Sequence, residues 1–302
     1  MLSQSHPVTR RKFLQQVGLV STVLAGTSLT AFAAEKPYPI AAFEKALQHL
    51  PPEQMADLLA ELGFMGVATP VRPKGRVLPE RVEEDLPKLV EVLAKRKLKV
   101  TELTTNINDA ADPLAQKILR TAAKLGLKRY RMGPWKYDLN QPIAAQVEAK
   151  KPMVKDLAAL NRELGLTAVY QVHSGANYFG AAIWDIYQLF KDYDPKQMAI
   201  AFDNRHATVE GGTTWELNFN LIKSHLGLVY AKDFTWQGKK AQNVPLGEGM
   251  VNPKFYQMVK ASGYDQPVLL HVEYPLAEDV KTLKEAYRKD LATLRGYMEG
   301  RA

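Results

Sequence analysis

The sequence predicts a closed barrel of eight parallel strands and eight helices, the (β/α)8 or TIM barrel class. Eight short apolar runs alternate strictly with eight amphipathic helical patterns between residues 40 and 298 of the 302-residue chain. Such alternation is typical of a parallel sheet covered by helices. The Gly-rich pattern that commonly follows the first strand of an open, doubly wound sheet is missing. A doubly wound sheet is therefore the second choice.

Local signals mark where the predicted helices start and stop. The first helix has Pro52 in its first turn and Gly63 just after its end, whereas the third begins at Asp112-Pro113 and ends at Gly126. Asp is a common N-cap, Pro is tolerated in the first turn, and Gly commonly ends a helix. The predicted strands are residues 40–43, 66–69, 99–103, 129–132, 168–172, 198–202, 228–231 and 268–272. The predicted helices are residues 52–62, 80–97, 112–125, 142–164, 181–190, 215–226, 253–262 and 276–298.

Residues 1–33 have the pattern of a cleaved twin-arginine signal peptide. Arg10 and Arg11 precede a moderately apolar stretch over residues 17–32, and residues 31–33 read Ala-Phe-Ala, a small-x-small cleavage signal. An N-terminal membrane anchor is the alternative. We expect residues 34–302 to form a single barrel domain. The twin-arginine export machinery would deliver it folded to the periplasm or beyond, with no stable membrane anchor after cleavage.

Composition excludes several classes of function. The chain is 46% hydrophobic and contains no cysteine, so a large core is available and thiol nucleophiles, disulfides and iron–sulfur clusters are excluded. The formal net charge is +8, but the basic residues of the mature chain are interspersed with acidic ones along the helical patterns. This arrangement is typical of solvated helix faces, and we expect no nucleic-acid partner.

Polar side chains follow the apolar runs at the points where the predicted strands end. The run at residues 198–202, for example, is followed by Asp203, Arg205 and His206. In a (β/α)8 barrel the carboxyl ends of all strands meet at one mouth, where the active site lies. We therefore expect the following side chains around one mouth: Glu102, Arg131, Gln171, His173, Asp203, His206, Lys232 and Glu273.

Two carboxylates at this mouth predict a hard divalent cation. Asp203 and Glu273 follow the sixth and eighth strands, and His173 or His206 could add a nitrogen ligand. The alternative for Asp203 is a helix cap or an ion pair with Arg205.

Other groups near the same loops have two interpretations each. Trp236, Tyr178 and Tyr274 could stack on the apolar face of a sugar or could simply pack in the core. Lys232 and Asp233 could act on a substrate or form a loop ion pair.

Several short motifs together resemble the sugar phosphate isomerase/epimerase family, which has a xylose isomerase-like barrel. They are Leu-Gly-Phe-Met-Gly-Val at residues 62–67, Asp203-x-x-His206, Lys232-Asp233, Pro-Leu-Gly-Glu-Gly at residues 245–249, and His271-Val272-Glu273. The resemblance covers nearly the whole mature chain.

The resemblance implies one divalent metal ion, Mn²⁺, Mg²⁺ or Zn²⁺. Family members resembling this chain hold it with Glu, Asp, His and Glu from strands five to eight, and Asp203 and Glu273 match two of these positions. Gln171 and Tyr230 stand at the other two. Gln171 and His206 are therefore the further candidate ligands.

The resemblance also implies proton abstraction next to the carbonyl group of a sugar or keto-sugar. Glu273 would be the base, Lys232 or His173 its acid partner, and the metal, Lys232 and His206 would hold the enediolate. Because Gln171 cannot act as a second carboxylate base, isomerisation or elimination is favoured over epimerisation. The candidate substrate-binding residues are His206, Arg131, Trp236, Glu102 and Gln171.

Export favours an unphosphorylated small carbohydrate as the substrate. A non-catalytic carbohydrate-binding protein on a degenerate barrel is the main alternative, because two of the four ligand positions are replaced. A nucleic-acid repair enzyme is a third hypothesis, disfavoured by export and by a total of only six histidines.

Overall fold

Eight parallel strands close into a barrel, which confirms the predicted fold class. The structure is a computed structural model that describes residues 37–301. The signal peptide predicted for residues 1–33 lies outside the described residues. The strands are β1 Ile40–Phe43, β2 Gly66–Pro70, β3 Lys99–Thr104, β4 Arg129–Arg131, β5 Thr167–Gln171, β6 Met198–Asp203, β7 Leu226–Ala231, β8 Asp233–Gln237, β9 Lys240–Val244 and β10 Val268–Leu270.

Strands β1 to β7 follow one another around the barrel, and β10 closes it between β7 and β1. Strands β8 and β9 form a separate antiparallel hairpin above the mouth-facing end of β7. The register places Asp203 beside Tyr230 and Gln171 beside Ala201. All eight barrel strands run in the same direction, so their carboxyl ends lie at one end of the barrel and form a common mouth.

The helices surround the barrel. They are α1 Pro52–Leu62, α2 Val82–Ala94, α3 Pro113–Lys124, α4 Ile143–Glu148, α5 Lys151–Leu164, α6 Trp184–Phe190, α7 Asn204–Gly211, α8 Trp215–Ile222, α9 Lys254–Ala261 and α10 Val280–Met298. Among residues 37–301, none of these helices has the length and apolarity needed to cross a membrane.

The core has two layers because each barrel strand is buried on both faces. A small inner cluster fills the barrel with residues such as Ala41, Ala201, Leu228 and Leu269. A much larger cluster packs the outward faces of the strands against the helices. Small side chains in the inner layer leave room for Phe43 and Tyr230, the two largest members of that layer.

Three local predictions differ from the structure. The helix predicted over residues 142–164 is broken into α4 and α5, because Pro152 occupies the first turn of α5 and cannot continue a helix from α4. The loop predicted after Asp203 is the helix α7, which the Asp203 side chain caps by accepting from the His206 N–H. The loop predicted after β7 contains the β8–β9 hairpin, whose two-residue turn has Gly238 at φ +59°.

Candidate active site

The carboxyl ends of the barrel strands surround a cavity of about 290 Å³. This volume lies at the small end of the range for ligand pockets, so it suits a molecule of monosaccharide size. Another cavity, of about 380 Å³, lies at the amino ends of the strands beside Arg129 and Thr167, where barrel enzymes do not place catalytic groups. Six of the predicted site residues line the mouth cavity: Arg131, Gln171, His173, His206, Lys232 and Glu273.

The ammonium group of Lys232 lies between the two predicted metal-binding carboxylates. Its Nζ atom is 2.9 Å from Oδ2 of Asp203 and 3.3 Å from Oε2 of Glu273. Lys232 and Asp203 are both buried. Burial raises the pKa of Asp203, but His206, Lys232 and His271 together outweigh this effect and keep that pKa below its ordinary value. The centre of the mouth is therefore an ion-paired lysine.

Glu273 has one fixed oxygen and one accessible oxygen. Its Oε2 atom accepts from Lys232 and, at 3.0 Å, from Nδ1 of His271. Its Oε1 atom accepts only from Lys45, whose side chain is 54% exposed. Burial raises the pKa of Glu273, whereas Lys232, His271 and Lys45 together lower it well below its ordinary value. Glu273 is therefore ionised at neutral pH and presents Oε1 to an incoming molecule.

The hydrogen bonds of His206 determine which of its ring nitrogens carries the proton. The Ser174 backbone N–H donates to Nδ1 over 3.1 Å, and the guanidinium of Arg205 approaches the same atom at 3.0 Å. Neither group can accept, so Nδ1 is unprotonated and the proton is on Nε2, which lies 3.7 Å from Oδ2 of Asp203. Burial lowers the pKa of His206 well below its ordinary value. His206 is therefore a neutral donor at the cavity.

His173 has the opposite arrangement. Its Nδ1 atom lies 2.8 Å from the Gln171 carbonyl oxygen, which can only accept. The proton is therefore on Nδ1, and Nε2 carries a free lone pair. Burial, followed by Arg131, lowers the pKa of His173 to about 4. The sequence predicted an acid at this position, but the resting form of His173 is a proton acceptor.

Gln171 links a cation to an anion. Its Oε1 atom accepts from Nη1 of Arg131 at 2.5 Å, and its Nε2 atom donates to Oδ2 of Asp203 at 2.7 Å. The amide orientation is thus fixed by a donor on one side and an acceptor on the other. The side-chain oxygen of Gln171 therefore already has a hydrogen-bond donor, Arg131.

Two predicted substrate-binding residues do not line the cavity. Glu102 is buried inside the barrel, where its Oε2 accepts from the Tyr230 hydroxyl at 2.6 Å and its Oε1 from Thr104. Trp236 is 44% exposed near the tip of the β8–β9 hairpin and packs edge-on against Phe234. Trp236 is not among the residues that line the cavity, so its stacking role stays a prediction.

Asp233 holds a loop and does not pair with Lys232. Its two carboxylate oxygens accept backbone N–H groups from Phe234, Gly247, Gly249 and Val251. The Pro-Leu-Gly-Glu-Gly motif is therefore a backbone cage around a buried carboxylate.

Four residues that line the cavity and one that supports it were not predicted as members of the site. The lining residues are Phe43, Lys45, Arg72 and Asn243; the supporting residue is His271, which lies between the rings of Phe43 and Tyr230. Arg205, which the sequence placed with Asp203 at the end of the sixth strand, also lines the cavity. The alternation of an extended chain places His271 on the same side as Glu273, and this signal was available in the His-Val-Glu motif.

The donors at the mouth do not fit the predicted divalent metal site. Lys232 already bridges Asp203 and Glu273, and a metal there would face an adjacent ammonium. The Gln171 oxygen is bound by Arg131. A neutral His206 could bind metal through Nε2 only with its proton on Nδ1, where two donors already point. Among residues 37–301 there is no group of three or more His, Asp and Glu side chains suited to a metal ion.

Comparisons with known proteins agree with the barrel. Residues 56–297 match the family described as Xylose isomerase-like TIM barrel. No curated protein sequence matches this chain significantly.

Solved structures with the same fold are distant in sequence. A 3-keto-D-glucoside 4-epimerase from E. coli superimposes with a TM-score of 0.64 at 16% identity, covering 85% of this chain and 99% of that chain. A D-psicose 3-epimerase, crystallised in the presence of D-fructose, gives 0.64 at 14% identity, with coverages of 86% and 99%. A xylose isomerase-like TIM barrel protein from Mycobacterium smegmatis in complex with magnesium gives 0.60 at 14%, with coverages of 88% and 98%. At these identities the similarity establishes the fold alone.

Proposed function

This chain belongs to the xylose isomerase-like TIM barrel family, and we propose that it is a carbohydrate-modifying enzyme that transfers protons next to a sugar carbonyl group. The observation that carries the proposal is the environment of Glu273: Oε2 is held by His271 and Lys232, whereas Oε1 faces the cavity beside exposed Lys45. A carboxylate that is ionised, fixed at one oxygen and accessible at the other is suited to accept a proton. The epimerases of the same fold support a carbohydrate as the substrate.

In this mechanism Glu273 removes a proton from the carbon next to the carbonyl group. The electron pair of the broken C–H bond forms the C=C bond of an enediolate, and the carbonyl electrons move to the carbonyl oxygen. Returning the proton to the former carbonyl carbon completes an isomerisation. In an elimination, the carbonyl group re-forms as the enediolate electrons form a C=C bond to the next carbon. The hydroxyl group on that carbon leaves with its bonding electrons and takes the proton held by Glu273, so that water is released.

Lys232 and His206 would stabilise the negative charge that develops on the carbonyl oxygen. Lys232 lines the cavity as a cation, and His206 offers its Nε2–H group. Both groups are held in place before the substrate arrives, Lys232 by Asp203 and His206 by Ser174 and Arg205. Preorganised donors of this kind stabilise an oxyanion without the cost of reorienting solvent.

His173 would move the second proton. Its bare Nε2 atom can take a proton from a substrate hydroxyl group and return it to the enediolate oxygen. His173 follows β5 whereas Glu273 follows β10, and β6 and β7 separate these strands in the barrel. The two acceptors therefore approach a substrate from different sides of the mouth.

The proposed chemistry assigns no step to a metal ion, because the donor set around Asp203 and Glu273 does not fit one. Lys232 supplies the positive charge at the position where the sequence predicted the cation.

Solvent hydrogen exchange tests the proposal. The full chain is incubated in D2O with a panel of keto-sugars and the corresponding keto-sugar acids, with and without a metal chelator. Incorporation of deuterium at the carbon next to the carbonyl group is measured by NMR. We expect exchange that survives the chelator and falls at least about 100-fold in Glu273→Gln. Glu278→Gln, an exposed carboxylate five positions along the chain, is the matched control and should exchange normally.

Two outcomes would contradict this assignment. Full exchange activity in Glu273→Gln would remove Glu273 from the mechanism. Sugar binding without exchange by any member of the panel would favour the alternative, a non-catalytic carbohydrate-binding protein on a degenerate barrel.

We also propose that the protein is exported folded through the twin-arginine pathway, on the basis of Arg10, Arg11 and the Ala-Phe-Ala sequence of residues 31–33. Replacing both arginines by lysine should keep the full-length chain in the cytoplasmic fraction. An unchanged distribution between fractions would contradict export by this route.

A further inference from the structure

Arg72 is a cation without a partner at the mouth cavity. It is half-buried in the loop after β2, and its guanidinium group makes no hydrogen bond or ion pair with any residue of the described chain. Burial and the neighbouring Arg131 lower the pKa of Arg72, and Glu273 and Glu102 only partly offset this effect. A guanidinium nevertheless stays charged at neutral pH. Arg76, another arginine withdrawn from water, has acceptors, because it donates to Glu44 and to two carbonyl oxygens.

Arg131 is a second guanidinium with unused capacity in the same cavity. It is only 7% exposed, and its Nε atom is buried without a hydrogen-bond partner. Its Nη1 atom donates to the neutral amide of Gln171, and no carboxylate of the described chain forms an ion pair with it. A buried donor and a buried charge without an acceptor both cost stability unless a ligand satisfies them.

The charges around the cavity are not balanced. The lining cations are Lys45, Arg72, Arg131, Arg205 and Lys232, and Glu273 is the one lining carboxylate of the described chain. Asp203 and Glu273 are already paired with Lys232 and Lys45. Of the three remaining cations, Arg205 donates to Asn243, to Ser174 and to the Ala241 carbonyl oxygen. Arg72 and Arg131 are left as two like charges that face a common space and repel each other.

We propose that Arg72 and Arg131 form an anion-binding subsite that holds the carboxylate or phosphate group of an anionic sugar. The proposal rests on the proposed function only in taking the remainder of the ligand to be a sugar. Guanidinium groups bind carboxylate and phosphate oxygens through paired N–H donors, and a negative group between them would remove the repulsion.

The subsite would also orient the substrate. Arg72 follows β2 and Arg131 ends β4, whereas Lys232 and Glu273 follow β7 and β10 on the other side of the mouth. A cavity of about 290 Å³ leaves little room for a monosaccharide to turn around. An anionic end held by the arginines therefore directs the other end toward Lys232 and Glu273.

Binding of three matched sugars to the full chain tests the proposal. D-glucuronate, D-glucose 6-phosphate and D-glucose share one ring and differ at carbon 6, which bears a carboxylate, a phosphate or a neutral hydroxyl. Inorganic phosphate and acetate serve as minimal anions. Affinities are measured by calorimetry for the wild type, Arg72→Gln and Arg131→Gln, with Lys74→Gln as control because Lys74 is an exposed cation of the same loop that does not line the cavity.

We expect at least one anion to bind more than tenfold more tightly than D-glucose. Its affinity should fall about 10- to 100-fold in Arg72→Gln and in Arg131→Gln and stay unchanged in Lys74→Gln. If D-glucuronate binds more tightly than D-glucose 6-phosphate, the subsite holds a carboxylate; the reverse order identifies a phosphate. Equal binding of D-glucose, no binding of any anion, or anion binding that survives Arg72→Gln would overturn the proposal.

This outcome is independent of the exchange experiment. Arginine-dependent anion binding without deuterium exchange would retain the subsite and remove the proposed catalysis. Exchange that depends on Glu273 without a preference for anionic sugars would retain the proposed catalysis and remove the subsite.

Discussion

The Nζ atom of Lys232 lies 2.9 Å from Oδ2 of Asp203, a carboxylate with no exposed surface at the end of β6. The same ammonium reaches Glu273 at 3.3 Å. A lysine side chain thus lies between the two carboxylates that the sequence assigned to a divalent cation. A covalently attached charge is present in every molecule of the protein, whereas a metal ion must be bound from solution. The chemistry of this mouth therefore follows from ion pairing within the chain.

Replacing Lys232 by methionine should destabilise the protein. Methionine keeps much of the length of the side chain but removes the charge, which leaves Asp203 buried with the Gln171 amide as its nearest remaining side-chain donor. Breaking a buried ion pair on one side typically costs about 3–5 kcal/mol, because the other charge remains buried. Chemical denaturation followed by circular dichroism measures the change in the free energy of unfolding.

Lys45→Met is the control for this prediction. Lys45 also contacts Glu273, but its side chain is 54% exposed, and exposed pairs contribute at most about 1 kcal/mol. Equal losses of stability in the two variants would show that Lys232 is not a buried structural charge.

Gly249→Ala should disrupt the backbone cage around Asp233. A Cβ atom at residue 249 would collide with Oδ1 of Asp233 and with the Phe234 carbonyl oxygen, both held rigidly. Overpacking of this kind typically costs about 1–3 kcal/mol. We expect a lower thermal midpoint, measured by calorimetry. Gly296→Ala, within α10, should leave the midpoint unchanged or raise it slightly, because alanine favours a helix. A stable Gly249→Ala variant would mean that the loop shifts freely.

Asp290 should make the protein less stable as the pH rises toward neutrality. Asp290 is buried on α10, and burial raises its pKa to about 7. The unfolded carboxyl has a pKa of about 3.9, so between about pH 4 and pH 7 the folded state binds a proton that the unfolded state does not. The free energy of unfolding therefore falls as the pH rises through this window, by up to about 1.4 kcal/mol per pH unit, and the loss is complete above it.

Asp290→Asn removes this titration while keeping an oxygen for the Leu246 N–H. The difference in stability between Asp290→Asn and the wild type should grow in favour of the variant from pH 5 to pH 8. A constant difference over this range would contradict the raised pKa of Asp290.

The sequence was sufficient to predict the barrel because the strands carry their own signal. Runs such as residues 198–202 are apolar on both faces, as parallel strands between two packed layers require. The β8–β9 hairpin was missed because its residues, including Lys240 and Gln242, alternate less clearly and it lies outside the repeating pattern. The break between α4 and α5 was also missed, although Pro152 was a local signal for it.

The candidate site was predictable as a set of residues but not as a set of contacts. The strand ends placed His173, His206 and Lys232 at one mouth from topology alone. Whether Lys232 pairs with Asp203 or with its neighbour Asp233 depends on side-chain directions that only the assembled barrel fixes. Arg72 was not predicted, because the sequence does not show that its side chain reaches the mouth.

Removing the Lys232 ammonium and adding a carboxylate at residue 171 should create a metal site at the mouth. In Lys232→Ala, Asp203 and Glu273 lose the cation between them. Adding Gln171→Glu places a third carboxylate beside Asp203, where the amide now lies 2.7 Å away. Three carboxylates with no ammonium between them favour a divalent ion.

We expect the double variant to bind one Mn²⁺ ion with a Kd of about 0.1 mM or tighter, measured as loss of the free Mn²⁺ signal in electron paramagnetic resonance. The wild type and Gln171→Glu alone, which keep Lys232, should leave that signal unchanged. Stoichiometric Mn²⁺ binding by the wild type would show that Lys232 does not exclude the metal.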